Sequence, residues 1–181
     1  MLNMEETDTP QLSGKGLELR SGDTWDEAPR RVRGLLVAIN IPGYYSLPVR
    51  ILALRAHSTP DLVENFDVRY LEWDNPKYAP DAPGKRIEDL LEVVAQLDPD
   101  ILGFSMNIWN RDACIQVARG MKARKANVCV LVGGQEVTNS VQDYLQMVPA
   151  FDYLIDGEGE LPFIDFLTAF DAATNQLVQP E

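Results

Sequence analysis

The 181-residue chain has one histidine, two cysteines, and only 16 lysines and arginines against 28 aspartates and glutamates. Each shortage removes a class of function. A formal net charge of −12 offers no basic patch to a nucleic-acid backbone or an anionic membrane surface, so neither is expected as a partner. It suits ordinary soluble acidity, or docking on a basic protein surface. Cys114 and Cys129 form neither a CxxC redox pair nor a zinc-binding spacing. One falls in a helical pattern and the other in an apolar run, as expected of buried or half-buried thiols in a reducing cytoplasm. No apolar run approaches the roughly 18 residues a membrane span needs. Residues 1–10 are acidic and polar, unlike a signal peptide.

What is present is an alternation of short apolar runs and helical stripes. Residues 1–32 carry little periodicity and many glycines, prolines and acids; they read as a flexible or partner-docking arm, with Leu17, Leu19 and Trp25 as possible anchors. From Gly34 the pattern becomes regular. Residues 35–39 form an apolar run too short for a helix, and Val49, Leu52, Ala53 and Ala56 then recur at helical spacing. Residues 67–72 alternate polar and apolar, as an edge strand does. Ile87, Leu90, Leu91 and Val94 mark a helix ending near Asp98-Pro99. Residues 101–104, 128–132 and 151–155 read as three more strands. Between them, Cys114, Val117, Ala118 and Met121 form one helical stripe, and Val141, Tyr144, Leu145 and Val148 another, stopped by Pro149. Leu161, Ile164, Leu167 and Phe170 form the last, with Pro162 suited to its first turn. Strictly alternating strands and helices require parallel pairing through crossovers. The expected fold is an α/β doubly wound, five-stranded parallel sheet of order 2-1-3-4-5, flavodoxin-like, over residues 33–172, with a C-terminal tail at 173–181.

In such sheets ligands bind outside the carboxyl ends of the strands, so the informative loops follow each strand. They are 40–47, 105–110, 133–138 and 156–160. A dinucleotide fold needs G-x-G-x-x-G after the first strand, and only Gly43 stands there. The same loop lacks the hydroxyl- and glycine-rich phosphate cradle of a flavodoxin. A phospho-receiver needs acids after strand 1 and an aspartate after strand 3; Asn40 and Ser105 occupy those places. What remains are small residues at strand ends: Gly103, Ser105, Gly133, Gly134, Gly157 and Gly159. Any one glycine is explained by a tight turn. Four ligand-side loops built this way on one edge point to a large flat ligand.

The segments Phe104-Ser105-x-x-Ile108-Trp109-Asn110, Val130-Leu131-Val132-Gly133-Gly134-x-Glu136-Val137-Thr138 and Asp152-Tyr153-x-Ile155-x-Gly157-Glu158-Gly159-Glu160 resemble the N-terminal cobalamin-binding domain of B12-dependent radical SAM proteins. The likeness covers roughly residues 34–170. Gln135 departs from it, standing where the family usually has proline. The resemblance implies cobalamin lying across the carboxyl edge, with its nucleotide tail between the sheet and a flanking helix. Gly133 and Gly134 would leave room for the tail, Ser105 would hydrogen-bond to it, and Val137 and Thr138 would open a helix whose amides meet its polar atoms. Gln135 would keep its backbone amide available to the same ligand. Gly157, Glu158 and Gly159 would touch corrin amides. Tyr44, Tyr45, Ser46 and Leu47 would approach the corrin from the first loop, and Asn107, Trp109 and Asn110 would line its lower face or rim. Other readings stay open: Glu158 and Glu160 also suit a helix dipole, and Trp109 also suits a rim or core position.

Methyl-carrying cobalamin proteins of the methionine synthase type have D-x-H-x-x-G after strand 1. This chain lacks it, and its lone His57 falls at the end of the first helix, as a surface or helix-terminal residue. Cobalamin is therefore expected base-off, without a histidine lower ligand. The family continues into a barrel with C-x-x-x-C-x-x-C; the cysteines here cannot hold such a cluster. S-adenosylmethionine and a 4Fe–4S cluster would enter only through a partner chain or a missing domain. The expectation is thus a cytoplasmic cobalamin-binding subunit or excised domain, the ends favouring a subunit. It would supply base-off (methyl)cobalamin to a radical SAM catalytic protein, most often for methylation of an unactivated carbon. The rival readings are an interaction module that has lost the cofactor and a cobalamin-responsive regulator.

Overall fold

The computed structural model describes residues 18–19, 23–25, 31–44, 47–78, 86–138 and 140–178. Short β-prone runs and amphipathic stripes alternate as expected. They form β1 (Val32–Asn40), α1 (Leu47–Ser58), α2 (Pro60–Val63), β2 (Phe66–Asp74), α3 (Ile87–Leu97), β3 (Ile101–Ser105), α4 (Arg111–Arg124), β4 (Cys129–Gly133), α5 (Val141–Met147), β5 (Tyr153–Leu154) and α6 (Glu160–Ala169). The first five strands make one parallel sheet in the order β2-β1-β3-β4-β5. This is the doubly wound order the sequence implies. Parallel strands require crossovers, and the helices supply them on both faces.

The two faces have separate cores. Leu35, Val37, Ile39, Leu102, Phe104, Val130 and Val132 point toward α3 and α4. Leu36, Ala38, Ile101, Cys129, Leu131 and Ile155 point toward α1 and α6. Each large apolar side chain buried this way contributes about 1.5–3 kcal/mol, so the central strands carry most of the stability. Helix α3 stops at Leu97, where Asp98 turns into the left-handed region (φ 45°) before Pro99; aspartate is among the residues that tolerate this conformation.

Two features depart from a plain βα repeat. A final hairpin, β6 (Phe170–Asp171) with β7 (Gln176–Leu177), follows α6. Phe170 leaves the helical stripe to stack near Phe166 and Phe66, at 5.8 Å and 6.4 Å between ring centroids. The second departure is at the β2 edge, which is more buried than its alternating sequence implies. Glu18 bridges to Tyr70, and Leu19 N–H donates to the Tyr70 carbonyl at 2.8 Å. Trp25 covers Arg69 at 5.3 Å and Arg33 at 5.9 Å, and its Nε1 donates to the Leu97 carbonyl. Leu19 and Trp25 therefore pack on this chain's own core. Leu17 and most of the arm lie outside the described residues.

Under Trp25, Asp67 receives two hydrogen bonds from Arg69, at 2.9 and 2.8 Å, with Arg31 at 3.7 Å and His57 Nε2 at 3.8 Å. Burial alone would raise the Asp67 carboxyl. The nearby His57, the hydrogen bonds from Arg69, and the charges of Arg69 and Arg31 instead hold it well below the usual carboxylate range. His57 thus sits where β2 begins, at the amino end of the sheet.

Candidate functional site

Parallel strands bring β1, β3 and β4 to one carboxyl edge, where their following loops cluster. Period-two alternation then gives each strand two different tips. Toward α3 and α4 the tips are bulky: Ile39, Phe104 and Val132. Toward α1 and α6 they are mixed, two leucines beside glycine and serine. Leu36, Gly103 and Leu131 lie side by side in one row, and one step nearer the edge Ser105 pairs with Gly133. A cavity of about 690 Å³ lies between this face of the sheet and the two helices. Ligand sites typically measure about 300–1,000 Å³. Val49 and Leu52 of α1 and Phe163 of α6 form its roof, while Tyr44, Trp109, Gln135 and Glu158 stand among the loop residues that line it.

Eleven of the residues singled out from the sequence line this cavity: Tyr44, Ser105, Asn107, Trp109, Gly133, Gly134, Gln135, Thr138, Gly157, Glu158 and Gly159. Tyr45 and Ser46 lie outside the described residues. Leu47 opens α1 as an exposed side chain off the cavity wall. Asn110 is behind the wall. Its Nδ2 donates to the Ile39 carbonyl at 2.9 Å and the Ser105 carbonyl at 3.0 Å, and its Oδ1 accepts from Asn107 N–H at 2.7 Å. Its amide is spent on tying the end of β1 to the loop after β3. Val137 is fully buried in the core on the α3 side.

One expectation is corrected. Val137 and Thr138 do not open a helix, because residues 135–138 form turns and α5 starts at Val141. Val137 N–H returns to the Gly134 carbonyl at 3.2 Å, and the Thr138 hydroxyl to the same oxygen at 3.3 Å. The polar Thr-Asn-Ser stretch here favours local turns over helix.

The loops after β3 and β4 are laced together. Met106 N–H donates to the Gly133 carbonyl at 2.7 Å, and Glu136 N–H to the Met106 carbonyl at 3.2 Å. Gly134 makes this possible with φ of 112°; a Cβ there would lie 2.3 Å from the Met106 oxygen. Glu136 faces away from the cavity. Its Oε1 accepts from the Tyr144 hydroxyl at 2.8 Å and from Arg111 at 3.3 Å. Burial, then the Glu136 contact, raises the Tyr144 hydroxyl above its ordinary value.

Gly133 differs. Its φ is not positive, and a Cβ would meet only Ile155, at an ordinary 3.7 Å. Glycine in a strand costs about 0.5–1 kcal/mol relative to alanine, and nothing in the chain's own packing requires it at this position.

Several wall residues escaped the sequence reading: Leu36, Val49, Leu52, Leu131, Ile155 and Phe163. All but Phe163 are apolar positions in periodic runs and read as core; Phe163 lies outside the expected stripe of the last helix, whose Leu161 is exposed while Phe163 and Phe166 are buried. The only signal was the small residues facing them, and register is needed to see that.

The B12 binding domain family model matches residues 53–167. The chain belongs to that family. This B12-binding domain is similar to part of 2-(S-pantetheinyl)-carbapenam-3-carboxylate methyltransferase of Streptantibioticus cattleyicolor, with 26% identity over 132 residues, 72% of this chain and 18% of the relative. It also matches the cobalamin-dependent radical SAM methyltransferase TokK of Streptomyces tokunonensis, 35% identical over 71 residues, 39% of this chain and 10% of the relative. An uncharacterized methyltransferase of Pyrococcus horikoshii is 31% identical over 81 residues, 45% of this chain and 18% of the relative. The aligned part is thus less than a fifth of each relative's length. The family implies cobalamin, and the residues present fit it. A cavity of ligand size, a largely apolar wall and a glycine the backbone does not need suit a large ring with a tail.

Proposed function

We propose that this B12-binding domain holds base-off cobalamin for methyl transfer by a radical SAM catalytic part, on a separate chain or a missing domain. The observation that carries the reading is Gly133. It has ordinary backbone on the cavity wall, where a Cβ would meet only Ile155 at van der Waals distance, so the chain's own packing does not call for glycine there. The names of two relatives support methyl transfer and, for TokK, the radical SAM chemistry. Bound cobalamin would supply a cobalt centre able to accept and release a methyl group.

The chain's residues would bind and orient. The slot between β3–β4 and α1–α6 takes the nucleotide tail, with the Ser105 hydroxyl at its rim. The loop of Gly157, Glu158 and Gly159 meets the corrin side chains, its backbone opened by the positive φ of 77° at Gly157. Tyr44 and Trp109, on the loops that line the cavity, would pack against the ligand's edge. No axial histidine is needed from this chain: its lone His57 is engaged beside Asp67 at the start of β2.

The test is reconstitution. The purified chain is mixed with hydroxocobalamin and desalted, and its visible spectrum is recorded. Retained cofactor with a base-off spectrum is the expected result; a colourless protein overturns the reading. Recovery of a bound protein that carries a 4Fe–4S cluster and cleaves S-adenosylmethionine would establish the second half.

A further inference from the structure

The loop after β4 faces two ways. Gly134, Gln135 and Thr138 line the cavity, while Glu136 and Val137 turn their side chains away from it. Residues 135–138 form turns, with no strand ladder or helix to hold them. Two ties, from the Val137 N–H and the Thr138 hydroxyl to the Gly134 carbonyl, close on the loop itself. Outward ties come from the Glu136 N–H to the Met106 carbonyl, from the buried Val137 side chain and from the Glu136 carboxylate. That carboxylate reaches two other elements: Oε1 accepts from the Tyr144 hydroxyl of α5 at 2.8 Å and from Arg111 of α4 at 3.3 Å. The two donors differ in worth. The Arg111 side chain is 43% exposed and shares its guanidinium with Asp112 at 3.1 Å, so solvent and a competing carboxylate weaken its hold. Tyr144 has its ring buried in the core on the α3 side, which makes its hydroxyl a fixed post for a charge-assisted hydrogen bond. Burial and the Glu136 contact hold that hydroxyl above its ordinary value, so it stays a donor at neutral pH. None of the three side chains lines the cavity.

We propose that Glu136 is a positioning residue for the cobalamin site: through the Tyr144 hydroxyl it holds the loop of residues 135–138 in its ligand-ready shape before cobalamin arrives. This rests on the cobalamin reading and adds to it a pair of residues outside the cavity. A turn segment with one side on an open cavity has other conformations within reach, and chain entropy favours them. Apparent affinity falls in proportion to the fraction of molecules whose loop is competent. Losing one hydrogen bond to the loop lowers that fraction by up to about tenfold. Removing either partner of the bond should therefore raise the Kd for cobalamin by about three- to tenfold. Because the two partners serve one bond, removing both costs no more than removing one.

The experiment titrates hydroxocobalamin into the full chain, followed by visible absorbance, at a temperature where circular dichroism shows each variant folded. Tyr144→Phe keeps the buried ring and removes the hydroxyl. Glu136→Ala removes the acceptor, and Glu136→Gln keeps an oxygen to receive the bond. Tyr144→Phe and Glu136→Ala should each bind about three- to tenfold more weakly, the double variant no more weakly than either, and Glu136→Gln close to the parent. A general loss of packing would add in the double variant and would not be rescued by glutamine. Unchanged Kd in Tyr144→Phe overturns the proposal and leaves the cobalamin site intact. Losses that add in the double variant, or a Glu136→Gln variant as weak as Glu136→Ala, overturn it in the same way. A parent protein that binds no hydroxocobalamin overturns the cobalamin reading itself. One measurement needs no variant: in the cobalamin-free parent the Glu136 and Val137 amides, both hydrogen-bonded, should already be protected from hydrogen exchange, and fast exchange at both overturns the proposal.

Discussion

Replacing Gly134 with alanine should destabilise the protein, whereas the same change one residue earlier should not. At Gly134 the backbone has φ of 112°, and an added Cβ would lie 2.3 Å from the Met106 oxygen and 2.8 Å from its nitrogen. Backbone strain of this kind costs about 1–3 kcal/mol. Overpacking costs a further ~1–3 kcal/mol, and here the obstacle is backbone, which cannot rotate aside. Taking roughly 4 kcal/mol as the central figure, a chain of this size loses about 8–16 °C in Tm. At Gly133, by contrast, alanine fits ordinary backbone with its nearest neighbour 3.7 Å away. Glycine-to-alanine changes at compatible sites stabilise by about 0.4–1 kcal/mol. Gly133→Ala should therefore hold or raise Tm while retaining less hydroxocobalamin after desalting, because its methyl group occupies the slot. Thermal melts of both variants, paired with the desalting assay, provide the comparison. Equal melting of Gly134→Ala and the parent protein would refute the account of how the two loops are held.

Three further outcomes are expected. The depressed Asp67 carboxyl contributes stability that is present above the ordinary aspartate range of about pH 4 and is lost as pH falls through its lower folded value. Asp67→Asn leaves buried Arg69 without its carboxylate, costing about 3–5 kcal/mol at pH 7, and urea unfolding across pH should show the difference from the parent shrinking below pH 4. Cys114 and Cys129 are both buried; burial, then the Asp152 charge, pushes the Cys129 thiol up to about 12, and burial pushes Cys114 higher still. Neither should react with a thiol reagent at pH 8 until the protein is unfolded. His57→Ala should leave the visible spectrum of bound cobalamin unchanged; a shift would mean that His57 reaches the cobalt.

The order of strands and helices, the edge position of β2 and the identity of the carboxyl-edge loops were legible in the sequence, because each depends on local periodicity. The three loop motifs carried the family resemblance for the same reason: they are contiguous. Other features were not local. Asn110 reads as a loop amide free to meet a ligand, and only the approach of β1 to the loop after β3 reveals that it is fully engaged within the chain. Leu19 and Trp25 read as anchors for a partner, and only the fold shows that the β2 edge receives them. The cavity is the clearest case. Alternation tells which residues of one strand share a face, but not which residue of the next strand lies beside them. That Leu36, Gly103 and Leu131 form one row, with Ser105 against Gly133 beyond it, is a fact of register between distant segments. The void lies where that face of the sheet meets α1 and α6.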